Sequence, residues 1–333
     1  MFRSEKQFVD WLRSVASAGS AKVKQGIGDD AALVSAGGSK DLILTTDLSI
    51  EGVHFTRALH PAPAVGHRAF ARSLSDIAAM GGTPRFALVS LGLSRQATRA
   101  WVEGFYRGLF ALARRHGVEV VGGDTALVPG SILIDIILTG EVSRGKAILR
   151  SGARPGDQIF VSGRLGLSGL GLQLLKSRAK RSGNLQLAAL AVNAHSYPEP
   201  QCDLGRLLSK QGLATAAIDI SDGLSSDLDR LCEASGVGAR IWENLIPGPW
   251  EPAQGRSPSR EMLRLALHGG EDYQLLFTVP SAKASRVPRR YRGVQLRGIG
   301  EVTRLRKLRL IRATGKEETL ISAGWDHFQK SKF

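Results

Sequence analysis

The stretch HPAPAVGHRAFARSLSDIAAMGG, residues 60–82, decides how the chain is read. Prolines at 61 and 63 suit the opening of a helix, Phe70, Leu74, Ile77 and Ala78 recur along one helical face, and Gly81 and Gly82 suit a C-cap. Asp76 breaks this pattern. It falls in mid-helix, a poor place for Asp, and its neighbours at i−7, i−3 and i+4 are Ala69, Ser73 and Met80, a face of small residues. Either it pairs with Arg72 one turn back, or it turns inward to a ligand. TRAWVEGFYRGLFALARRHG, residues 98–117, repeats the helical plan with Trp101, Val102, Phe105, Leu109 and Leu112.

Around these helices, hydrophobic period predicts strands at 42–47, 118–123, 132–142, 158–162, 215–220, 238–246, 272–279 and 294–302, with a late hairpin strand near 307–312. Strands and helices do not alternate in strict βαβ order. The expected class is therefore α+β, with mixed or antiparallel sheets and helices on one side, rather than a doubly wound sheet. The polar, Gly- and Pro-bearing LRSGARPGDQIF, residues 149–160, marks a boundary, giving domains at 1–150 and 151–333. WENLIPGPWEPAQGRSPS, residues 242–259, has turn composition and reads as a long surface connection.

With 333 residues, 43% of them hydrophobic, the chain can bury a large core. No apolar run approaches the roughly 18 to 20 residues that span a bilayer, and the first residues lack the apolar centre of a secretory signal. A cytoplasmic location without membrane attachment is expected. Cys202 and Cys232 have no CxxC or His-rich neighbour and read as ordinary buried thiols. The net charge of +15 suits either a handler of polyphosphates or a nucleic-acid binder. The cations are dispersed, however, and the clusters at 176–183 and 286–293 lack interleaved aromatics, so specific nucleic-acid binding is not expected.

Against this basic background, acids recur among Gly, Ser, Thr and small apolar residues. Asp29 and Asp30 stand in GIGDDAALV; Thr45 and Asp47 share one face of a strand end in TTDLSIEGVHF, with Thr46 on the other; Asp124 follows two glycines in VGGDTALV. Asp219, Ser221 and Asp222 lie in AIDISDGLSSDLD, and Glu271 and Asp272 in HGGEDYQLLF. Two like charges about 4 Å apart cost roughly 4 kcal/mol at an effective dielectric of 20, so such groups converge only around cations. Oxygen-only ligands favour Mg²⁺ over zinc or copper. Mg²⁺ among Asp residues, served by glycine-rich loops, is the equipment of polyphosphate chemistry. There is no P-loop, and the glycine run from Gly163 reads as a helix–strand packing device.

Taken in order, GIGDDAALV, TTDLSIEGVHF, SLSDIAAMGGTPRFALVSLGL, VGGDTALV, LRSGARPGD, AIDISDGLSSDL, HGGEDYQLLF and GWDHF resemble the thiamine-monophosphate kinase family, within the aminoimidazole-ribonucleotide-synthetase-like ATP-binding superfamily. The resemblance covers nearly the whole chain. It implies transfer of phosphate from ATP to thiamine monophosphate, giving thiamine diphosphate, and an N-terminal domain that pairs through its sheet in a homodimer. By matching position it implies several Mg²⁺ ions held by Asp30, Thr45, Thr46, Asp47, Asp76, Asp124, Asp219 and Asp222. It also implies ATP contacts from Tyr106, Gly123, Asp124, Arg150 and Ser221, and thiamine-side contacts from His54, Glu271 and Trp325. Asp47, Asp76, Asp124, Arg150 and Asp219 are then the catalytic set. The rivals are other superfamily enzymes and, from a different class, a basic nucleic-acid-binding protein; the reactive cysteines expected of two superfamily rivals have no counterpart here.

Overall fold

The computed structural model describes residue 2 and residues 4–16, 20–177, 184–250 and 258–328. Most of the basic tract at 176–183 and the middle of the 242–259 connection lie outside the described residues. The first half runs α1 (Glu5–Val15), β1 (Val23–Gln25), β2 (Ala32–Ser35), β3 (Lys40–Ile50), α2 (Ala62–Ala79), β4 (Thr83–Leu93), α3 (Arg99–Arg115), β5 (Glu119–Leu127) and β6 (Leu133–Ser143). The second runs β7 (Gln158–Ser162), α4 (Leu167–Lys176), α5 (Leu185–Ser196), α6 (Cys202–Gln211), β8 (Ala216–Ile220), α7 (Leu224–Ser235), β9 (Gly238–Trp242), α8 (Arg260–His268) and β10 (Gln274–Val279). It ends with α9 (Ser281–Ala284), β11 (Arg290–Tyr291), β12 (Val294–Thr303), β13 (Leu308–Ile311) and β14 (Glu317–Thr319).

Both sheets are mixed, as the α+β reading requires. The first has the order β1-β2-β3-β6-β4-β5, antiparallel except between β4 and β5. The second has the order β14-β13-β9-β12-β7-β10-β8, with β11 on β12 and one parallel pair, β13 with β9. Helices α2 and α3 cover one face of the first sheet, where Ile43, Ala87, Val89, Ile134, Ile136 and Leu138 point inward. The second sheet departs from the one-sided expectation. Its Ala217, Leu275 and Phe277 pack into the same core as α2 and α6, while Ile159, Ile218 and Leu276 on the opposite face pack against residues of α7 and α8.

Helix α2 is thus shared by both sheets, and 14 of its 18 residues are buried. After its first two residues, only Arg72 and Asp76 escape full burial. Its end is a Schellman turn: Gly82 N–H donates to Ile77 O and Gly81 N–H to Ala78 O, with Gly81 at φ +69°. The crossing with α3 is close enough to require glycine, because a Cβ on Gly66 would lie 1.9 Å from Phe105 O and one on Gly108 1.9 Å from Pro63 O.

Three local expectations change. Strand β4 is absent from the strands that the hydrophobic period predicts: Gly81, Gly82 and Pro84 mask its start, although Ala87, Val89 and Leu91 alternate inward. The strand expected at 238–246 stops at Trp242 and turns into a short 3₁₀ segment, Glu243–Leu245. The start of the supposed surface connection is interior: Ile246–Pro249 are buried, and Leu165 N–H donates to Pro247 O. Cys202 and Cys232 are buried free thiols. Among the described residues, no helix is long and apolar enough to cross a membrane.

Candidate active site

The C-terminal end of β3, the open stripe of α2, the 26–30 turn, the end of β8 and the 269–273 loop converge on one cavity of about 790 Å³. Both halves of the chain therefore build it. Asp30, Thr45, Thr46, Asp47 and Asp76 line it from the first half, Asp219, Ser221 and Asp222 from the second, and Arg150 from the connection. His54, Glu271 and Trp325 line it as well. Carboxylate oxygens of Asp30, Asp76 and Asp219 come within 4.8 Å of one another.

Period-two geometry places the β3 groups. Thr45 and Asp47 face inward, and the Thr45 hydroxyl donates to Asp76. Thr46 faces the other way and donates to Asp135 at 2.6 Å. Gly123, Asp124 and Tyr106 do not line the cavity. Asp124 is exposed on edge strand β5, in a register row that runs Leu48, Asp135, Ser90, Asp124 across the sheet. Gly123 has φ +154°, and a Cβ there would sit 1.8 Å from Val89 O, so its glycine is a requirement of strand pairing. Tyr106 stacks on Phe110 and meets Phe105 edge-on within α3.

Arginines, not lysines, frame the acids. Arg150 donates to Asp30 through Nε at 3.2 Å and Nη2 at 2.6 Å. Arg230 pairs with Asp222 and with Asp227. Arg72 pairs with Asp47 at 3.3 Å, so the alternative of an Arg72–Asp76 pair along the helix is corrected. The cluster remains short of positive charge. Burial, followed by the charges of Asp47, Asp219 and Asp30, lifts Asp76 well above the ordinary carboxylate range. Burial and then Asp30 push Asp219 up to about 7. Burial raises Asp30 too, against the pull of Arg150. Among the described residues, Asp30 Oδ2 and Asp47 Oδ2 are buried without any hydrogen-bond partner. Unsatisfied, oxygen-only and acidic, this donor set fits hard divalent cations.

At the other end the chemistry changes. Glu271 is half-buried, and desolvation opposes its charge, yet Arg68, His195 and Arg72 outweigh that and hold it at about 2. Arg68 Nη2 donates to Glu271 Oε1 at 2.6 Å. Glu271 and Tyr273 have φ of +65° and +48°, strained values for non-glycine residues. Their N–H groups are fixed on Ser221 O and Ile220 O, which aims the Glu271 side chain into the cavity. Trp325 N–H donates to Asp222 O, and its Nε1 to His327 Nδ1 at 3.2 Å.

The capping roles of two supporting acids escaped sequence reasoning, which names Asp272 only among the recurring acids and does not single out Asp227. Asp227 accepts from the Asp222 and Gly223 N–H groups, capping α7 where Gly223 offers no side chain. The sequence signal was an acid in the first turn after a glycine N-cap. Asp272 accepts from Gly166 and Ser168 N–H at the start of α4, a long-range cap that no local pattern announces.

Two such halves closing on an oxygen-rich acidic cleft define an AIR-synthase-type architecture. The matching family models are AIR synthase related protein, N-terminal domain, over residues 28–142, and AIR synthase related protein, C-terminal domain, over residues 154–312. The thiamine-monophosphate kinase of Escherichia coli (strain K12) is 39% identical over 310 residues, 92% of each chain. That of Bacillus subtilis (strain 168) is 34% identical over 312 residues, 93% of this chain and 95% of the relative. The solved structure of AaThiL complexed with AMPPCP and TMP superposes with a TM-score of 0.81 at 34% identity, covering 97% of both chains. The chain belongs to the thiamine-monophosphate kinase family.

Proposed function

We propose that this cavity is where ATP phosphorylates thiamine monophosphate to thiamine diphosphate, by direct in-line transfer. One observation carries the reading: a single cavity joins a cation-ready cluster, Asp30, Asp76 and Asp219, to a second end built from His54, Glu271 and Trp325. A relative of the same fold holds AMPPCP and TMP together, which supports a two-substrate site. The nucleophile is a phosphate oxygen already bearing charge, so no general base is needed. Catalysis then rests on positioning and on neutralising charge.

Asp30, Thr45, Asp47, Asp76, Asp219 and Asp222 are the groups that would hold Mg²⁺. Bound there, Mg²⁺ supplies neutralisation of the triphosphate and of the phosphoryl group in flight. Arg150 offers a planar fork to phosphate oxygens, Ser221 a hydroxyl beside them, and Trp325 a face for a cationic thiazolium. Thr46, Tyr106, Gly123 and Asp124 belong to this reading through a second copy. The outer face of the first sheet exposes Leu48 (48%), Phe86 (48%), Leu88 (39%) and Val121 (56%) around the Thr46–Asp135–Asp124 polar patch. That apolar surface favours a homodimer formed sheet to sheet. Residues 1–150 then supply nucleotide and cation binding and pairing, while residues 151–333 complete the site. A cytoplasmic location suits a consumer of ATP.

The test is ADP release by the purified chain with ATP, with and without Mg²⁺ and thiamine monophosphate. Release is expected only when all three are present. ADP formation indifferent to thiamine monophosphate defeats the reading.

A further inference from the structure

Arg72 has no assigned role, yet its setting is that of a ligand-binding group. Helix α2 is buried on every side except where Arg72 and Asp76, one turn apart, open onto the cavity. Among the described residues, the Arg72 guanidinium makes one hydrogen bond, a 3.3 Å contact from Nη2 to Asp47 Oδ1, and its Nε is buried with no partner. A buried N–H left without an acceptor is costly, and the cost is recovered only when something in the cavity accepts from it.

His54 presents a second such donor. The Ile50 backbone N–H donates to its Nδ1 at 2.9 Å, so Nδ1 is the acceptor and the ring proton resides on Nε2. That Nε2 is also buried and, among the described residues, unpartnered. Burial, followed by the charges of Arg72 and His327, keeps the ring neutral, with its pKa pushed down to about 3. The tautomer is therefore fixed, and the ring lines the same cavity as Arg72.

We infer that Arg72 and His54 together receive the phosphate of the acceptor substrate, with Arg72 the group that distinguishes a phosphorylated thiamine from thiamine itself. This rests on the phosphotransfer reading above. The position of Arg72 suits this role, because it stands between Asp47 of the acid cluster, to which it is bonded, and Glu271 and Tyr273 at the thiamine end, all of which line the same cavity. An anion there meets a charged donor on one side and a neutral donor on the other, next to the carboxylates where cations would neutralise the incoming phosphoryl group.

Thiamine, which lacks the phosphate, separates this role from a structural one. With the full chain in Mg²⁺ and ATP, the Michaelis constant for thiamine monophosphate and the inhibition constant of thiamine are measured for wild type, Arg72→Met and Arg72→Lys. Arg72→Met is expected to weaken thiamine monophosphate by about tenfold to a hundredfold while leaving thiamine within about twofold. Arg72→Lys, which keeps the charge without the fork, is expected to recover part of that preference. If Arg72→Met fails to fold, Arg72→Lys against wild type makes the same comparison, with a loss of several-fold in the ratio of the two constants expected. An unchanged ratio in a folded variant overturns the inference. A wild-type chain that releases no ADP with thiamine monophosphate instead defeats the phosphotransfer reading beneath it, so the two failures are distinguishable.

Discussion

Asp76 is the residue on which the site's electrostatics converge. It is surrounded by Asp30, Asp47 and Asp219, and among the described residues its one close hydrogen bond comes from Thr45. Asp76→Asn should therefore do two opposite things. Turnover of thiamine monophosphate should fall by on the order of a hundredfold or more, since a cation ligand is lost. Without Mg²⁺ at pH 8, the variant should melt a few degrees higher than wild type by thermal scan, because one of several mutually repelling buried acids is gone. The sign of the pH effect follows from the same cluster. Carboxyls with raised folded pKa values, Asp76 well above the ordinary carboxylate range and Asp219 at about 7, bind protons more tightly folded than unfolded. The Asp219 contribution to stability is full below about pH 4 and is lost as pH rises through about 7. Cations and protons compete for these oxygens, so the stabilisation by Mg²⁺ should be larger at pH 8 than at pH 5.5. Equal shifts in melting temperature at the two pH values would contradict the cation site. At this scale much was legible in the sequence: the two-residue period assigned Thr45 and Asp47 to one face and Thr46 to the other. Arg72 was not, because its partner Asp47 lies 25 positions away while Asp76 is one turn along the same helix.

Among the elements, α4 is held by a group from outside its own segment. Its N-cap, Gly166, has φ +79° and no side chain, and the two N–H groups there are met by Asp272 from the loop before β10. Asp272→Ala leaves both unpaired and should cost about 2–4 kcal/mol in denaturant unfolding. Since Ser168, Gly169 and Gln173 of α4 line the cavity, the Michaelis constant for thiamine monophosphate should rise as well. A variant of wild-type stability would show that the cap is dispensable. The glycine run from Gly163 reads in the sequence as a helix–strand packing device, whereas the close approach at Gly171 is between helices: a Cβ there would strike Ala191 O of α5 at 2.1 Å. The cap was invisible because donors and acceptor are about a hundred positions apart. Helices α2 and α3 were legible through period and punctuation, whereas β4 was not, since Pro84 demotes a strand in any local reading.

For the molecule as a whole, the outer face of the first sheet makes a claim about assembly. Leu88→Lys places a charge amid Leu48, Phe86 and Val121, all substantially exposed. On the proposed pairing, light scattering should report a dimer for wild type and a monomer for this variant, with activity reduced about tenfold or more if Asp124 acts across the pairing. A wild type that is itself monomeric at micromolar concentration would refute the sheet-to-sheet pairing. The sharing of α2 between two sheets has a different consequence. A chain cut between its halves leaves each fragment with one apolar surface bare: the first loses the second sheet from the back of α2, and the second exposes Leu275 and Phe277. Because α2 belongs to both sheets, a single calorimetric transition is expected in place of two separate ones, and two resolved transitions would count against this coupling. A half borrowed from a relative would take only if it arrived with a surface shaped for this particular helix.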